Sequence, residues 1–356
     1  MEQSELREFH TRIEIRIIAG IVAVAIFISV IANGLVAVRI KADLESEAAT
    51  KYLVDNTGYV NADTVERIQE KLQTLSDPVS LEDYYRLAGT QIAEEDYQGA
   101  LNSIEQCIKL DDGSNQELHL DLLMKKGCLL VMLERDAEAL ISLDQVISEA
   151  PAESDAYLVK AQIYAKQEDL PNLVQALEWY LKYETGNAEI RELLAQAMFS
   201  MGDYAGAKAQ YRYVLEEPGE NTDLTQMQYL YGLTCIQLED FQDAEEALLL
   251  ALQQDETLSG IHYYIGVCKM SNEAYSEAVE FLSVSIEKGS MLQLSRYSRG
   301  ISGLMTEGYD LVQAKEDLKF AAEYAGSDAD ESVRVQAVHL LERLAEIEAE
   351  AELQSN

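Results

Sequence analysis

Positive charge is scarce in this chain: 27 lysines and arginines stand against 64 aspartates and glutamates, giving a formal net charge of −37. Residues 1–41 hold four acids and five bases, so the acidic excess belongs to the rest of the chain. Phosphate backbones and anionic lipid headgroups bind through clustered lysine and arginine, and this composition excludes a nucleic-acid binder. The acidity has two interpretations, a solvated glutamate-rich surface or electrostatic steering of basic partners, and the sequence leaves both open.

Cysteine is also scarce, and its positions show none of the paired spacings of zinc sites or redox motifs. The four cysteines are Cys107, Cys128, Cys235 and Cys268. All fall within predicted helices, so we expect them to be small buried side chains. Free thiols are commonest in reducing compartments, which weighs against a location outside the cytoplasm.

Histidine is rare and scattered, and no phosphate-binding loop, nucleophile elbow or zinc-binding His-Glu motif occurs anywhere in the chain. The isolated histidines are His10, His119, His262 and His339. We therefore predict no catalytic residue, no metal and no cofactor, and a protein that is not an enzyme.

What the sequence does contain is a recurring small residue at spacings of 39, 34, 34, 37, 34 and 34 residues. Its positions are Ala88, Gly127, Ala161, Ala195, Gly232, Gly266 and Gly300. A second small or apolar residue follows twelve positions later in all but the last case, at Ala100, Ala139, Leu173, Ala207, Ala244, Ala278 and Ala314. A period near 34 residues with small residues at two facing slots predicts stacked helical hairpins, whose helices approach closely at those slots.

The best-matched units, with Tyr231-Gly232, Ala244 and Leu248 in one and Ile265-Gly266 and Leu282 in the next, resemble the tetratricopeptide repeat family. The resemblance covers residues 81–325 and implies an all-α fold, a right-handed α-solenoid of about seven hairpins. It also implies binding to other proteins.

A stack of this kind needs a polar lid at its end, and residues 326–356 provide a candidate. Apolar residues recur at helical spacing on one side, among them Val335, Val338 and Leu344, with glutamates on the other. We predict a C-terminal capping helix and a short tail.

Ahead of the repeats, residues 17–38 form a run of 22 residues without charge, long enough to cross a hydrocarbon core of about 30 Å. We predict one N-terminal transmembrane helix behind a tail at 1–16, in preference to a cleaved signal peptide, whose apolar run is shorter. Basic residues flank both ends equally, so orientation rests on the common arrangement of a short cytoplasmic tail. That arrangement predicts a single-pass cell-membrane protein of a bacterial envelope, with extracytoplasmic repeats.

Residues 39–80 separate the predicted anchor from the repeats and show helical spacing over 42–54 and 62–75. This segment is either a helical juxtamembrane spacer or a degenerate first hairpin. We favour the spacer because no residue pair in it matches the two small slots.

The resemblance also implies a binding site, since the first helix of each family unit lines a concave groove. Transferring the family's groove positions predicts an apolar, aromatic and Met-rich surface suited to apolar or basic peptide segments. The candidate partner-binding residues are Tyr85, Met124, Phe199, Tyr229, Tyr263, Met270 and Tyr297. The tyrosines at 229, 263 and 297 form the most regular row. The slots of a carboxylate clamp hold mostly Glu, Tyr, Leu and Val, with Arg86 and Lys125 as the bases, which argues against such a clamp.

Together these features predict a membrane-anchored protein–protein interaction scaffold that binds partner segments in the groove of a repeat superhelix. The alternative is an envelope chaperone or assembly factor that holds unfolded clients through the same groove. A scaffold captures one or a few folded partners, whereas a chaperone suppresses the aggregation of unrelated proteins.

Overall fold

The computed structural model describes residues 48–55, 79–326 and 328–355, and over these ranges the chain is helical with no β-strand. The tail at 1–16, the predicted transmembrane helix at 17–38 and most of the predicted spacer at 39–80 lie outside the described residues. Within the described residues, no helix is both long and apolar enough to cross a bilayer.

The described helices fall into two compact units, which meet in sequence between Asp203 and Tyr204. The helices of the first unit are α1 (Ala48–Asp55), α2 (Leu81–Ala93), α3 (Tyr97–Leu110), α4 (Gln116–Met132), α5 (Asp136–Glu149), α6 (Ser154–Lys166), α7 (Leu170–Tyr183) and α8 (Ala188–Ser200). In this unit α2 packs on α3, α4 on α5 and α6 on α7, and each pair also packs on the next helix of the chain.

The second unit repeats the same arrangement. Its helices are α9 (Tyr204–Glu216), α10 (Leu224–Gln237), α11 (Phe241–Gln254), α12 (Ile261–Ser271), α13 (Tyr275–Glu287), α14 (Leu292–Met305), α15 (Leu311–Glu323) and α16 (Glu331–Ser355). Here α10 packs on α11, α12 on α13 and α14 on α15. Consecutive helices joined by short turns pack as antiparallel hairpins, so each unit is a stack of helical hairpins.

Helix starts follow from side chains that accept the first free backbone amides. Ser80 and Asp83 form a reciprocal capping box at the start of α2. Asn115, Asn187 and Asp223 each accept from the amide three residues on, at 3.0–3.2 Å. At these four helices the first hydrogen bonds are therefore encoded locally.

The predicted small slots lie where the two helices of a hairpin meet. A Cβ built on Gly266 would come within 2.7 Å of Leu282 Cγ, and one on Gly232 would meet Leu248 Cγ at the same distance. Both leucines are fully buried. Small residues are needed at this slot because the bulky leucine of the second helix fills the space above them.

The turn inside most hairpins places a glutamate in the left-handed backbone region, where side chains other than glycine are unfavourable. Five hairpins have a glutamate at this turn position, with φ between 57° and 61°: Glu95, Glu134, Glu168, Glu239 and Glu273. Gly308 occupies the corresponding turn of the last hairpin, with φ of 78°. The turn geometry is thus held by the packed hairpin even where the residue does not favour it.

Helix α16 closes the second unit at its C-terminal end, packing on α15 and touching α14. Gln293 of α14 donates to the Ala321 carbonyl at 3.0 Å and accepts from the Asp330 amide at 2.6 Å, which fixes the chain as it enters α16. Val333, Ala337 and Leu344 are buried, whereas Val335 and Val338 are exposed. The predicted lid segment thus contains a long helix that packs on the last hairpin.

Candidate functional site

Helix α1 packs on α4 and α6 and touches α2, the first helices of the three hairpins of its unit. The sequence predicts a helical spacer in this region, and the structure places the helix Ala48–Asp55 against the repeats. We call the surface beneath it the α1-binding face and define it by Asp121, Lys125 and Met132 of α4 and Gln162 of α6.

Two apolar side chains of α1 are buried in this contact. Ala49 is 0% exposed and Leu53 is 1% exposed, four residues apart and therefore on one side of the helix. Both belong to the buried apolar cluster that contains Met124 and Cys128 of α4 and Ile163 of α6. The helix is thus part of the core of the first unit.

Polar contacts fix the start and the direction of α1. The Ala49 amide donates to Gln162 Oε1 at 3.0 Å. Gln162 of α6 thus supplies a side-chain acceptor to the backbone of α1. The Thr50 hydroxyl donates to Met132 Sδ at 3.4 Å.

The carboxylate of Asp121 connects α1 to two repeat helices. It accepts hydrogen bonds from the Tyr52 hydroxyl at 3.3 Å and from the Tyr85 hydroxyl of α2 at 2.8 Å, and it pairs with the Lys125 ammonium. The Lys125 side chain is only 3% exposed. Its Nζ lies 5.8 Å from the Tyr52 ring centroid and 5.2 Å from that of Tyr85, within the range of cation–π attraction.

Both tyrosines of this cluster are held in the protonated state. Burial, followed by the charge of Asp121, raises the pKa of Tyr52. Burial and the hydrogen bond to Asp121 raise the pKa of Tyr85. Two neutral hydroxyl donors and one ammonium therefore converge on a single carboxylate at physiological pH.

The predicted groove residues have a different environment from the one expected. Tyr85 is half-buried at the edge of the α1-binding face, whereas the other six are buried, each less than a tenth exposed. These six are Met124, Phe199, Tyr229, Tyr263, Met270 and Tyr297. Neighbouring helices cover these six side chains, and their role in binding a partner stays a prediction.

The tyrosine row shows the physical reason. The Tyr229 hydroxyl donates to the Ser259 carbonyl at 2.6 Å, immediately before the next hairpin. Tyr263 is fully buried with its ring edge against Tyr264, the centroids 5.5 Å apart. The Tyr297 hydroxyl donates to Gln336 Oε1 of α16 at 2.9 Å. Tyr229 and Tyr297 therefore contact the following elements of the stack, and the Tyr263 ring is enclosed within the packing.

Sequence reasoning missed α1 as a bound element. The available signal was the pair Ala49 and Leu53 at helical spacing inside the segment predicted to be helical over 42–54. That signal identifies an amphipathic helix but not the surface it covers.

Two further features of the described residues concern metal ligation and the cysteines. No cluster of histidine, cysteine, aspartate and glutamate within them has the arrangement of a metal site. All four cysteines are free and buried. Burial raises the pKa of Cys107 to about 12 and that of Cys235 to about 11, which suppresses the thiolate needed for nucleophilic chemistry.

Comparisons with known families agree with this architecture. A model described as "Tetratricopeptide repeat" matches residues 84–113, and one described as "Anaphase-promoting complex, cyclosome, subunit 3" matches residues 166–251. The stacked hairpins and their small-residue slots define an all-helical repeat protein. These matches support a tetratricopeptide-repeat protein, and the fold of such proteins is typically a non-enzymatic scaffold for protein–protein interactions.

Individual relatives are distant. A DnaJ protein P58IPK homolog of Arabidopsis thaliana is 24% identical over 57% of this chain, and Superkiller complex protein 3 of Homo sapiens is 26% identical over 57%. The matches span 47% and 14% of the lengths of those relatives. A structure of Naa15/Naa10 bound to HypK-THB is similar in fold, with 15% identity, a TM-score of 0.51, and coverage of 73% of this chain and 39% of that one.

Proposed function

We propose that this chain is a membrane-anchored interaction scaffold whose first unit binds a helical segment of a partner protein on the α1-binding face. The observation that carries the proposal is α1 itself, a short helix held there by a buried Ala–Leu pair and by Gln162 and Asp121. A face that accommodates one helix in this way has the chemistry to bind another. This is helix-in-groove recognition.

The family and its relatives support an interaction role. The similar Naa15/Naa10 structure is a complex with HypK-THB by its own description. The net charge of −37 favours encounter with partners that carry basic as well as apolar residues, and that attraction weakens as salt rises.

The uncharged run at 17–38 supports the anchor. If it spans the membrane, residues 39–47 connect it to α1, and nine residues extend at most about 30 Å. The α1-binding face would then act close to the membrane surface. An extracytoplasmic location is compatible with the four free thiols because all of them are buried.

The alternative function, a chaperone for unfolded envelope proteins, has less support from the side-chain environments. A holdase uses exposed apolar surface, whereas six of the seven apolar residues predicted for that role are buried. Broad suppression of aggregation is therefore not the activity we propose.

Site-specific photo-crosslinking in native membranes tests the scaffold function. A crosslinking residue replaces Tyr85, beside the α1-binding face, or Ile141 on α5, which is 70% exposed and serves as the matched control. We expect a discrete protein adduct from position 85 and none from position 141. Adducts of equal strength from both positions, or a smear of unrelated proteins, would contradict the proposal.

Protease added to intact cells tests the anchor and its orientation in the same strain. We expect the repeat units to be removed and the membrane fraction to retain the N-terminal segment. A protected repeat domain would reverse the orientation, and a chain recovered in the soluble fraction would refute the anchor.

A further inference from the structure

We propose that α1 is an intramolecular ligand that competes with a partner helix for the α1-binding face. The partner helix would carry the α1 pattern: a small residue, a tyrosine three residues later and a leucine four residues later. This inference rests on the proposed function, since it names the partner chemistry and the regulation of the same site.

The size of α1 makes its contact exchangeable. Within the described residues α1 covers Ala48–Asp55, and few side chains hold it on the face. Its fully buried apolar side chains are Ala49 and Leu53. Burial of one leucine is worth roughly tenfold to a hundredfold in an equilibrium constant, which is small enough for another helix to compete.

The surface beneath α1 contains polar groups that water can hydrate when α1 is released. Gln162 and Lys125 are buried polar residues under the helix, and Asp121 is an acid at its edge. Uncovered, the amide and the Lys125–Asp121 pair can hydrate, whereas an entirely apolar surface would be strongly unfavourable in water. Tyr263 in the second unit shows the opposite case, a fully buried ring between repeats.

Three contacts define which helix fits. Ala49 has no exposed surface, and its amide reaches Gln162, so a bulky residue there would prevent the backbone from approaching that acceptor. Tyr52 places its ring near Lys125 and its hydroxyl on Asp121. Leu53 enters the apolar cluster, whereas Lys51 is exposed and is not recognised.

Competition has a measurable consequence. A site that is free for only a fraction of the time binds an external ligand more weakly by that fraction. Releasing α1 should therefore tighten the binding of an α1-like peptide without any change in the face itself.

The test uses the full chain purified in detergent micelles and a fluorescent peptide with the sequence of residues 46–57, followed by fluorescence anisotropy. Leu53→Asp in the protein releases α1, and Lys51→Asp places an aspartate on its exposed side as the control, with a larger change in net charge. Ala49→Glu releases α1 by disrupting a different contact. It provides a second test in case Leu53→Asp fails to fold. Circular dichroism verifies that each variant retains its helix content.

We expect the peptide to bind both release variants about tenfold or more tightly than it binds the wild type or Lys51→Asp. A peptide that itself carries Leu53→Asp should not bind. Equal affinity for all four proteins, or no binding to any, would overturn the inference. Repeating the position-85 crosslinking in the Leu53→Asp strain separates the two proposals: an adduct that persists without peptide binding leaves the scaffold function standing, and loss of both refutes both.

Discussion

Arg299 of α14 forms a bidentate ion pair with Asp317 of α15, and the carboxylate is completely buried. Arg299 Nε lies 2.7 Å from Asp317 Oδ2, and its Nη2 lies 2.9 Å from Oδ1. Arg296 adds a third hydrogen bond to Oδ1 at 2.7 Å. The hydrogen bond to Asp317 raises the pKa of Arg299, and the pair joins the two helices of the last hairpin.

Asp317→Ala should destabilise the second unit by about 3–5 kcal/mol, because it leaves two arginines without their buried acceptor. Urea unfolding followed by circular dichroism measures the change. Glu348→Ala removes the partner of Lys315 in a more exposed pair and should cost less than about 1 kcal/mol. Similar losses for both variants would show that the buried pair has no special role.

Gly266→Ala should destabilise the protein by about 1–2 kcal/mol, although alanine is the better helix former. The new methyl group would lie 2.7 Å from Leu282 Cγ, so one of the two helices must move. Gly186→Ala is the control, because no atom lies within 4 Å of the position that its new Cβ would take and its φ is not left-handed. We expect that variant to be unchanged or slightly stabilised in thermal unfolding.

Tyr263→Ala should cost about 3–5 kcal/mol of unfolding free energy, as expected for removal of a fully buried ring. Ile141→Ala, at an exposed position, should change stability by less than about 0.5 kcal/mol. Chemical denaturation of both variants provides the comparison. Unchanged stability of the Tyr263→Ala protein would contradict the burial of this ring and favour an exposed position in the groove.

The cysteines should not react with a thiol reagent at pH 8 in the folded protein. Burial raises the pKa of Cys107 to about 12 and that of Cys235 to about 11, so the reactive thiolate is almost absent at that pH. Titration with Ellman's reagent should find all four thiols only after unfolding. A rapid reaction of one thiol under native conditions would contradict the packing described for it.

The hairpins can be predicted from the sequence because their contacts are local and periodic. The pair Gly266 and Leu282 has its equivalent one repeat earlier in Gly232 and Leu248. The same sequence spacing brings the two residues of each pair into contact. The tyrosine row misleads because a 34-residue period is shared by residues that line a groove and by residues that pack between repeats. The period specifies the position of a residue within its repeat, but the burial of its side chain depends on the neighbouring repeat.

The docking of α1 lies beyond sequence reasoning for a different reason. Its contacts join residues 69, 82 and 113 positions apart, and none of them repeats along the chain. Such a pairing leaves no periodic signal, and only the assembled face shows that Gln162 and Asp121 meet the same helix.

Hydrogen exchange of residues 48–55 in the full chain tests the docking of α1 most directly. The Ala49 amide has Gln162 as its acceptor, and the rest of α1 depends on Leu53 for its position. We expect these amides to exchange about tenfold or more slowly in the wild type than in Leu53→Asp, with Lys51→Asp matching the wild type. Equally fast exchange in all three proteins would show that α1 does not occupy the face, and would remove the basis for the proposed binding site.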